Sequence, residues 1–596
     1  MTSSRAVDTG TRPNRFGWLF ASLHGYRRSW ARADLVAGLT VWAVLVPESL
    51  AYATIAGVSP VVGLYAAVPA LVLYAMLGSS RHLVVGPMSA TAALSAGIVA
   101  AYADAGSDRF VALTVGLALV TGMLGVAAGL LRLGFVAAFI SEPVLKGFIV
   151  GLALTIIIGQ VPALLGVEKG EGSFFEKLWD LLGRLGDVDW PTTVVGIVSL
   201  ALVLVLRRVV PLVPGALVVV LLGIGAVDLL DLVDRGVAVV GHIEAGLPDL
   251  GLPDALDAGD YLGLVAAAIG VLLVGFAEGL GAAKTYAAKA GYDVDANREL
   301  IGLGAANLGS GLASGMVVNG SLSKTAVNGG AGARSQVSGL LVAALTVVTL
   351  LFLTGLFEDL PEATLAAVVI AAVVELVDIA ALRRLYRLGT SRLVAAFGLT
   401  ARVDFIAALA ALVGVLVLDT LPGLLTGVVV SAVLLLYRAS RAYVAVLVPV
   451  DSPDAGRRLW LDASRHPDVA PLDGVVVLRV EAGLFYANAD HTRAAIRAAV
   501  GPDTAAVVLD CESAPFLDVT GAGMLADLAR DLERDGVRLL LAKSVGQVRD
   551  ELSATGVLDV LGTPHTTIDA AVTAAAVART TIETGGDQEG DRRQDQ

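Results

Sequence analysis

Charge is scarce in this chain. Only 16% of its 596 residues are Asp, Glu, Lys or Arg, and 56% are hydrophobic. A soluble domain carries about a quarter charged residues, so most of this chain lacks the polar surface that water demands. Cysteine is scarcer still. The lone Cys511 excludes an intramolecular disulfide and a cysteine-rich metal site. The six histidines lie scattered without metal-ligand spacing, so neither a metal nor another cofactor is expected. His82, beside Arg81, reads as an interfacial residue. No G-x-x-x-x-G-K-[ST] loop occurs, which argues against ATP-driven pumping in this chain. No catalytic set of side chains emerges, so an enzyme is not expected. The net charge of −13 is not that of a nucleic-acid binder. Up to Arg32 the chain is polar and basic, without the apolar core of a cleavable signal peptide. The first spanning helix is therefore expected to direct insertion.

What is abundant is apolar sequence in long runs. Between Asp34 and Leu436, runs of about 17–25 residues recur, long enough to cross ~30 Å of hydrocarbon as helices. They predict about fourteen segments, two of them short: 34–56, 60–78, 87–103, 109–131, 141–165, 190–206, 212–232, 260–284, 297–318, 321–331, 336–356, 363–382, 401–419 and 421–437. After Arg438 the texture turns soluble. The expected organisation is a cytoplasmic N-terminal segment (1–33), a transmembrane domain (34–440), a linker (441–471), a small α/β domain (472–578) and a polar tail (579–596). The tail has no aromatics and is expected to be disordered.

Basic residues set the orientation. On one side the loops hold Arg109, Lys169, Lys177, Arg184 and Arg235, diluted by acids such as Glu168, Asp231 and Glu358. The other side holds Arg27, Arg28, Arg32, Arg81, Arg132, Arg207, Arg208, Lys284, Lys289, Arg334, Arg383, Arg384 and Arg438. By the positive-inside rule this multi-pass chain has both termini in the cytoplasm.

Two pairs of motifs repeat in register. Glu48, in Val-Pro-Glu-Ser-Leu-Ala, and Glu278, in Phe-Ala-Glu-Gly-Leu-Gly, lie 230 residues apart. Gly86-Pro-Met-Ser-Ala-Thr-Ala92 and Gly320-Ser-Leu-Ser-Lys-Thr-Ala326 share G-x-x-S-x-T-A at an offset of 234. Seven helices separate the copies. The second half is therefore inverted relative to the first, the plan of many secondary transporters.

Gly86-Pro87 and Asn319-Gly320 interrupt apolar stretches, and each precedes small and hydroxyl residues. Irregular backbone at membrane depth is tolerated where protein buries it or it lines a cavity. Two short helices opening there would present free N–H groups and about half a positive charge each, an anion site without any side chain. Ser89, Ser323 and Thr325 add hydroxyl donors, and Lys324 a full positive charge. The bland alternative has the hydroxyls tightening helix packing and Lys324 snorkelling to an interface.

Acids inside a membrane span are costly, about 2.5–3.5 kcal/mol on insertion scales, and so are functional suspects. Glu278 is the candidate to carry a proton along with an anion, or else a fixed counter-charge to Lys324. Glu48 is its repeat-related partner. Arg298 and Glu299 read as a structural pair at a cytoplasmic helix end. Glu142 and Lys146 suit an i,i+4 pair, and Glu375 is ambiguous.

The membrane part resembles the sulfate permease (SulP) family of anion transporters. The resemblance rests on Pro47-Glu-Ser-Leu-Ala-Tyr-Ala53, Ala56-Gly-Val-Ser-Pro60, Gly78-Ser-Ser-Arg-His82, Val85-Gly-Pro87, Glu142-Pro143, Asn297-Arg-Glu-Leu300 with Asn307, and Gly320-Ser-Leu-Ser-Lys-Thr-Ala-Val-Asn328. It implies two inverted seven-segment repeats, arranged as core and gate domains that work like an elevator. It also implies a homodimer in the plasma membrane. The implied substrate site, carried over by motif, comprises Glu48, Ser89, Ala90, Glu278, Ser323 and Lys324. Many members have Gln where Glu48 stands and Arg where Lys324 stands. Lysine keeps the charge but not the bidentate fork, which leaves sulfate, bicarbonate, chloride and dicarboxylates all open. With no clustered carboxylates to suggest a sodium site, proton symport or anion exchange leads.

The C-terminal segment Leu509-Asp-Cys-Glu-Ser-Ala-Pro-Phe-Leu-Asp-Val-Thr-Gly521 resembles a STAS domain, the module of anti-sigma factor antagonists. Thr520 falls at their phosphorylated position, which implies a regulatory site for a cytoplasmic partner; the favoured reading is that Thr520 is only a helix N-cap. Two other functions fit less well. One is a nucleobase-type permease, against which Lys324 and the STAS segment argue. The other is a membrane anion sensor that signals through STAS without transport.

Overall fold

The structure is a computed structural model. It describes residues 19–577 except 136–140, 171, 211–213, 244, 375–376, 378–379, 381–382, 385, 388–399, 419 and 453–456. Glu375 and the expected tail lie outside the described residues. The chain divides into two compact units between Ser431 and Ala432.

Each of the fourteen expected segments corresponds to a helix among the described residues. They are α1 (Ala31–Ile55), α2 (Pro60–Leu77), α3 (Ser89–Val99), α4 (Asp108–Leu130), α5 (Glu142–Leu165), α7 (Trp190–Val209), α8 (Gly215–Leu230), α9 (Ala258–Ala290), α10 (Ala296–Leu312), α11 (Leu322–Gly330), α12 (Val337–Val348), α13 (Glu362–Val374), α14 (Thr400–Leu418) and α15 (Thr420–Ala439). One further helix, α6 (Phe174–Gly183), was not anticipated. Local chemistry sets the ends. Ser107 caps α4 by accepting from the Phe110 N–H, and Asp257 and Asp260 form a capping box at α9. Prolines begin α2 and follow the first residue of α5 and α7. Gly166 and Gly291, both left-handed, end α5 and α9.

The helices pack as two groups. In one, α10 lies against α2 and α4, α1 and α2 against α12, and α4 against α9. In the other, α5 lies against α13 and α14, and α7 against α8 and α13. These are the core and gate halves, each drawing on both repeats. Glycine sets the closest approaches. A Cβ at Gly63 of α2 would lie 2.0 Å from the Ser49 carbonyl oxygen of α1. One at Gly147 of α5 would lie 1.9 Å from that of Ala408 in α14. Gly63 thus holds α2 against the turn of α1 that follows Glu48.

The second unit is a five-stranded sheet in the order β4-β3-β5-β6-β7: β3 (Val444–Ser452), β4 (Arg457–Asp462), β5 (Val475–Val480), β6 (Ala506–Asp510) and β7 (Arg538–Ala542). β5, β6 and β7 run parallel, and β3 is antiparallel to β4 and β5. The central strands are buried on both faces and so read as unbroken apolar runs. Leu478, Val507 and Leu541 pack with α16 (Ala489–Ala499), α17 (Val519–Arg534) and α18 (Gly546–Ala554). Val477, Val508 and Leu540 pack on the other face with Trp460, Ile568 and Ala571. Two expectations are corrected here. Residues 441–471 are not merely a linker, because they carry β3 and β4. Leu484–Phe485 is not a strand but a single bridge, Leu484 to Leu517.

Gly63→Ala is expected to cost about 1–3 kcal/mol through overpacking, measured as a lower melting temperature of the purified protein. Gly225→Ala, where a Cβ meets nothing within 4 Å, should leave it unchanged.

Candidate functional site

The two chain breaks cross each other. Val84–Gly86 (β1) and Asn319–Ser321 (β2) pair antiparallel, with Val84 opposite Ser321, Val85 opposite Gly320 and Gly86 opposite Asn319. At the 234-residue offset the last two pairs are equivalents of each other, so the pseudo-two-fold axis passes between them. The symmetric continuation would pair Pro87 with Val318, but Pro87 has no N–H to offer. The side-chain amide of Asn307 stands in. It donates to the Val318 carbonyl and accepts from the Val318 N–H, both at 2.9 Å. Beyond the crossing, α3 and α11 each begin three residues after a paired position, Gly86 and Asn319 respectively.

Lys324 lies in the first turn of α11 and is 1% exposed. It does not snorkel. Its Nζ donates to the Pro87 carbonyl at 2.7 Å and sits 3.2 Å from Glu48 Oε2 and 4.9 Å from the Tyr52 ring centroid. All three partners come from the first repeat. A buried ammonium demands this much compensation. The counter-charge to Lys324 is therefore Glu48. Glu278 forms no ion pair among the described residues, and its Oε2 is enclosed without a hydrogen-bond partner. It sits on α9 between Gly275 and Gly279, and those two glycines form a notch filled by Asn319. A Cβ at either would come within 3.1–3.2 Å of the Asn319 side chain.

The hydroxyls divide. Thr325 is buried, and its Oγ1 accepts from the Val84 N–H at 3.1 Å, tying α11 to β1. Ser321 caps α11 by accepting from the Lys324 N–H. Ser323 is exposed, with its Oγ 3.1 Å from that of Ser321. Ser89 and Ala90 are buried at the start of α3. Sequence reasoning named Pro87, Tyr52 and Asn307 within motifs but gave none of them a role in the site. Tyr52 had a readable signal, because it lies four residues after Glu48 on the same helix face.

One end of this half is held by buried polar groups. Glu299 accepts from the Tyr74 hydroxyl at 2.7 Å, from the Ser79 N–H and hydroxyl, and from the Ser80 N–H. Arg298 reaches the Gly78 carbonyl. Asp34, which the sequence did not mark, accepts from the Arg334 and Ser335 N–H groups and the Ser335 hydroxyl. His82 is buried rather than interfacial. Its Nε2 meets the Ala333 carbonyl and its Nδ1 the Tyr292 hydroxyl, each at 3.0 Å. A carbonyl only accepts, so Nε2 carries the proton. Glu142 and Lys146 form the expected i,i+4 pair at 2.5 Å.

In the second unit Thr520 is not the N-cap. Asp518 is, accepting from the Gly521 and Tyr486 N–H groups. Thr520 is exposed in the first turn of α17. Cys511 is a free, buried thiol, its pKa pushed up to about 12 by burial and by the neighbouring Asp510, which makes it a poor nucleophile.

Inverted repeats whose broken helices cross inside a bundle define a membrane protein built on the plan of many secondary transporters. Comparison with known proteins narrows this. The chain belongs to the sulfate permease family, which matches residues 32–398, and a STAS domain matches residues 466–572. It is 36% identical over 543 residues to the probable sulfate transporter Rv1739c of Mycobacterium tuberculosis, covering 91% of this chain and 94% of that one. It is 28% identical over 569 residues to sulfate transporter 1.3 of Arabidopsis thaliana, covering 90% and 83%. The fold is similar to that of the murine anion transporter Solute Carrier 26 family member A9 (TM-score 0.84, 23% identity, 96% of each chain covered). It is also similar to the transmembrane domain of the cyanobacterial bicarbonate transporter BicA (TM-score 0.58, 23% identity, 67% and 98% covered).

Breaking the buried pair from either side, by Glu48→Gln or Lys324→Met, should destabilise the protein by about 3–5 kcal/mol. The double variant should recover much of that loss in thermal unfolding. Asp518→Ala should cost the STAS domain about 1 kcal/mol through the lost cap, with Thr520→Ala close to neutral, compared by chemical denaturation of the full chain.

Proposed function

We propose that this chain is a secondary active transporter of small inorganic or carboxylic anions, with its substrate site at the crossing of the two repeats. The observation that carries the reading is the Lys324 ammonium, buried in the first turn of α11 beside the start of α3. Two helix N-termini and one cation favour negative charge at that point. Ser323, exposed next to Lys324, is the hydroxyl best placed to greet an arriving anion. Ser89 and Ala90 at the start of α3 and Glu48 beside the ammonium complete the proposed site, and Thr325 serves the scaffold. The names of the relatives, sulfate transporters by sequence and anion and bicarbonate transporters by fold, support the same substrate class.

The mechanism follows from the charge balance. Lys324 is neutralised by Glu48, so an anion must compete with that carboxylate for the ammonium. Strong competition keeps binding weak enough for release. Glu278, whose Oε2 is enclosed without a hydrogen-bond partner, is the candidate to take a proton in the same cycle, giving symport; anion exchange is the alternative coupling. The core half, carrying the crossing, moves past the gate half as an elevator. By the positive-inside bias, the end holding Glu299, His82 and Asp34 faces the cytoplasm, in the plasma membrane. The working unit is a homodimer, and exposed Thr520 is a candidate contact for a cytoplasmic regulator.

The test is uptake of labelled sulfate, bicarbonate and fumarate into proteoliposomes, with and without an inward-acid gradient. Saturable uptake of at least one anion is expected, enhanced by the gradient in wild type and not in Glu278→Gln. Gradient-enhanced uptake in that variant would remove Glu278 from the coupling. Binding without uptake would make the protein a sensor.

A further inference from the structure

The helix α6, between α5 and α7, has an arrangement that an aqueous loop has no use for. It opens with a capping box, in which the Glu176 carboxylate accepts from the Ser173 N–H. Around its axis the side chains fall into three strips. Phe174, Leu178 and Leu181 point inward, and α6 packs on α5 and α14. Glu176, Lys177 and Asp180 form a polar strip, extended by Arg184, which pairs with Asp180 at 3.0 Å and Glu168 at 2.8 Å. The third strip is Phe175, Trp179 and Leu182, at i, i+4 and i+7. These three are 52%, 79% and 51% exposed. The inner and outer apolar strips adjoin, so the apolar arc covers nearly half the helix and faces away from the charges.

We propose that α6 is an in-plane interfacial helix whose outer strip, Phe175, Trp179 and Leu182, is seated in the headgroup boundary of the lipid bilayer. Three observations select lipid as the occupant. First, α6 is tethered closely at both ends to spanning helices, by eight residues after α5 and six before α7. It therefore stays at the membrane boundary. Second, the next helix, α7, also carries exposed apolar side chains in its first half, Trp190, Val194, Ile197 and Val198. Third, the exposed aromatics include two tryptophans, Trp179 of α6 and Trp190, the first residue of α7. Tryptophan favours this depth, with an apolar ring and one polar N–H. A helix so placed, its charges toward water and its apolar arc toward the acyl chains, binds the interface by buried apolar area. It would fix the depth of the gate half in the membrane.

The experiment places single nitroxide labels at residues 175, 179, 182 and 177 of the full chain, in a Cys511→Ser background, in liposomes. Power-saturation electron paramagnetic resonance then compares accessibility to oxygen, which concentrates in the bilayer, and to a water-soluble nickel chelate. The ratio of oxygen to nickel accessibility should be severalfold higher at 175, 179 and 182 than at 177. Equal ratios at all four, with free access of nickel, would show an aqueous loop and overturn the proposal. Low accessibility to both reagents at 175, 179 and 182 would show that protein covers the strip, and would overturn it equally.

Discussion

The structure depends on keeping one ammonium group inside the membrane. Taking a charge of this size out of water costs several kcal/mol even after relaxation. Lys324 meets that cost with partners its own repeat does not supply: the Glu48 carboxylate, the Pro87 carbonyl and the Tyr52 ring face. Each lies in the first repeat. The two repeats must therefore be held in fixed register, and the polar contacts around the crossing serve that end. The short ladder of β1 and β2 aligns the two segments. Thr325 ties α11 to Val84, and the Asn307 amide satisfies the backbone that Pro87 leaves unpaired. Pro87 matters twice, because the ring that stops the ladder also leaves its carbonyl aimed at Lys324.

The same compensation shapes the chemistry. A lone buried lysine would hold an anion too firmly to release it. A lysine already paired with Glu48 offers a charge that an anion can share only by loosening that pair. Glu278 is the repeat-related acid, yet its surroundings differ, with glycines and Asn319 in place of a cation. Among the described residues, the two halves of the pseudo-symmetry thus present one carboxylate with a cation beside it, Glu48, and one without, Glu278.

Much of the fold was legible because run length is a direct measure of bilayer thickness. Residues 34–436 fell into about fourteen segments chiefly on that basis, with the distribution of basic residues as a check on the count, and the in-register motifs exposed the inversion. Elements that obey other rules were missed. The helix α6 is too short to span and amphipathic rather than uniformly apolar. β3 follows α15 after only four residues, so its run from Val444 to Val450 has no clear break before it. At the site, the residue types were legible but their pairing was not. Nothing in one dimension says whether Lys324 meets Glu48 or Glu278. His82 looked interfacial because Arg81 precedes it, whereas its two ring nitrogens are taken up by Tyr292 and Ala333. Thr520 looked like a cap, but Asp518, two residues earlier, already held that position.

The central claim is that the Lys324 charge receives the substrate. Its most direct measurement is saturable uptake of labelled anion by proteoliposomes containing wild type, Lys324→Arg or Lys324→Met, with folding of each checked by size-exclusion chromatography. The account predicts that arginine, which keeps the charge, sustains uptake and that methionine abolishes the saturable component. A folded Lys324→Met protein with wild-type uptake would contradict it.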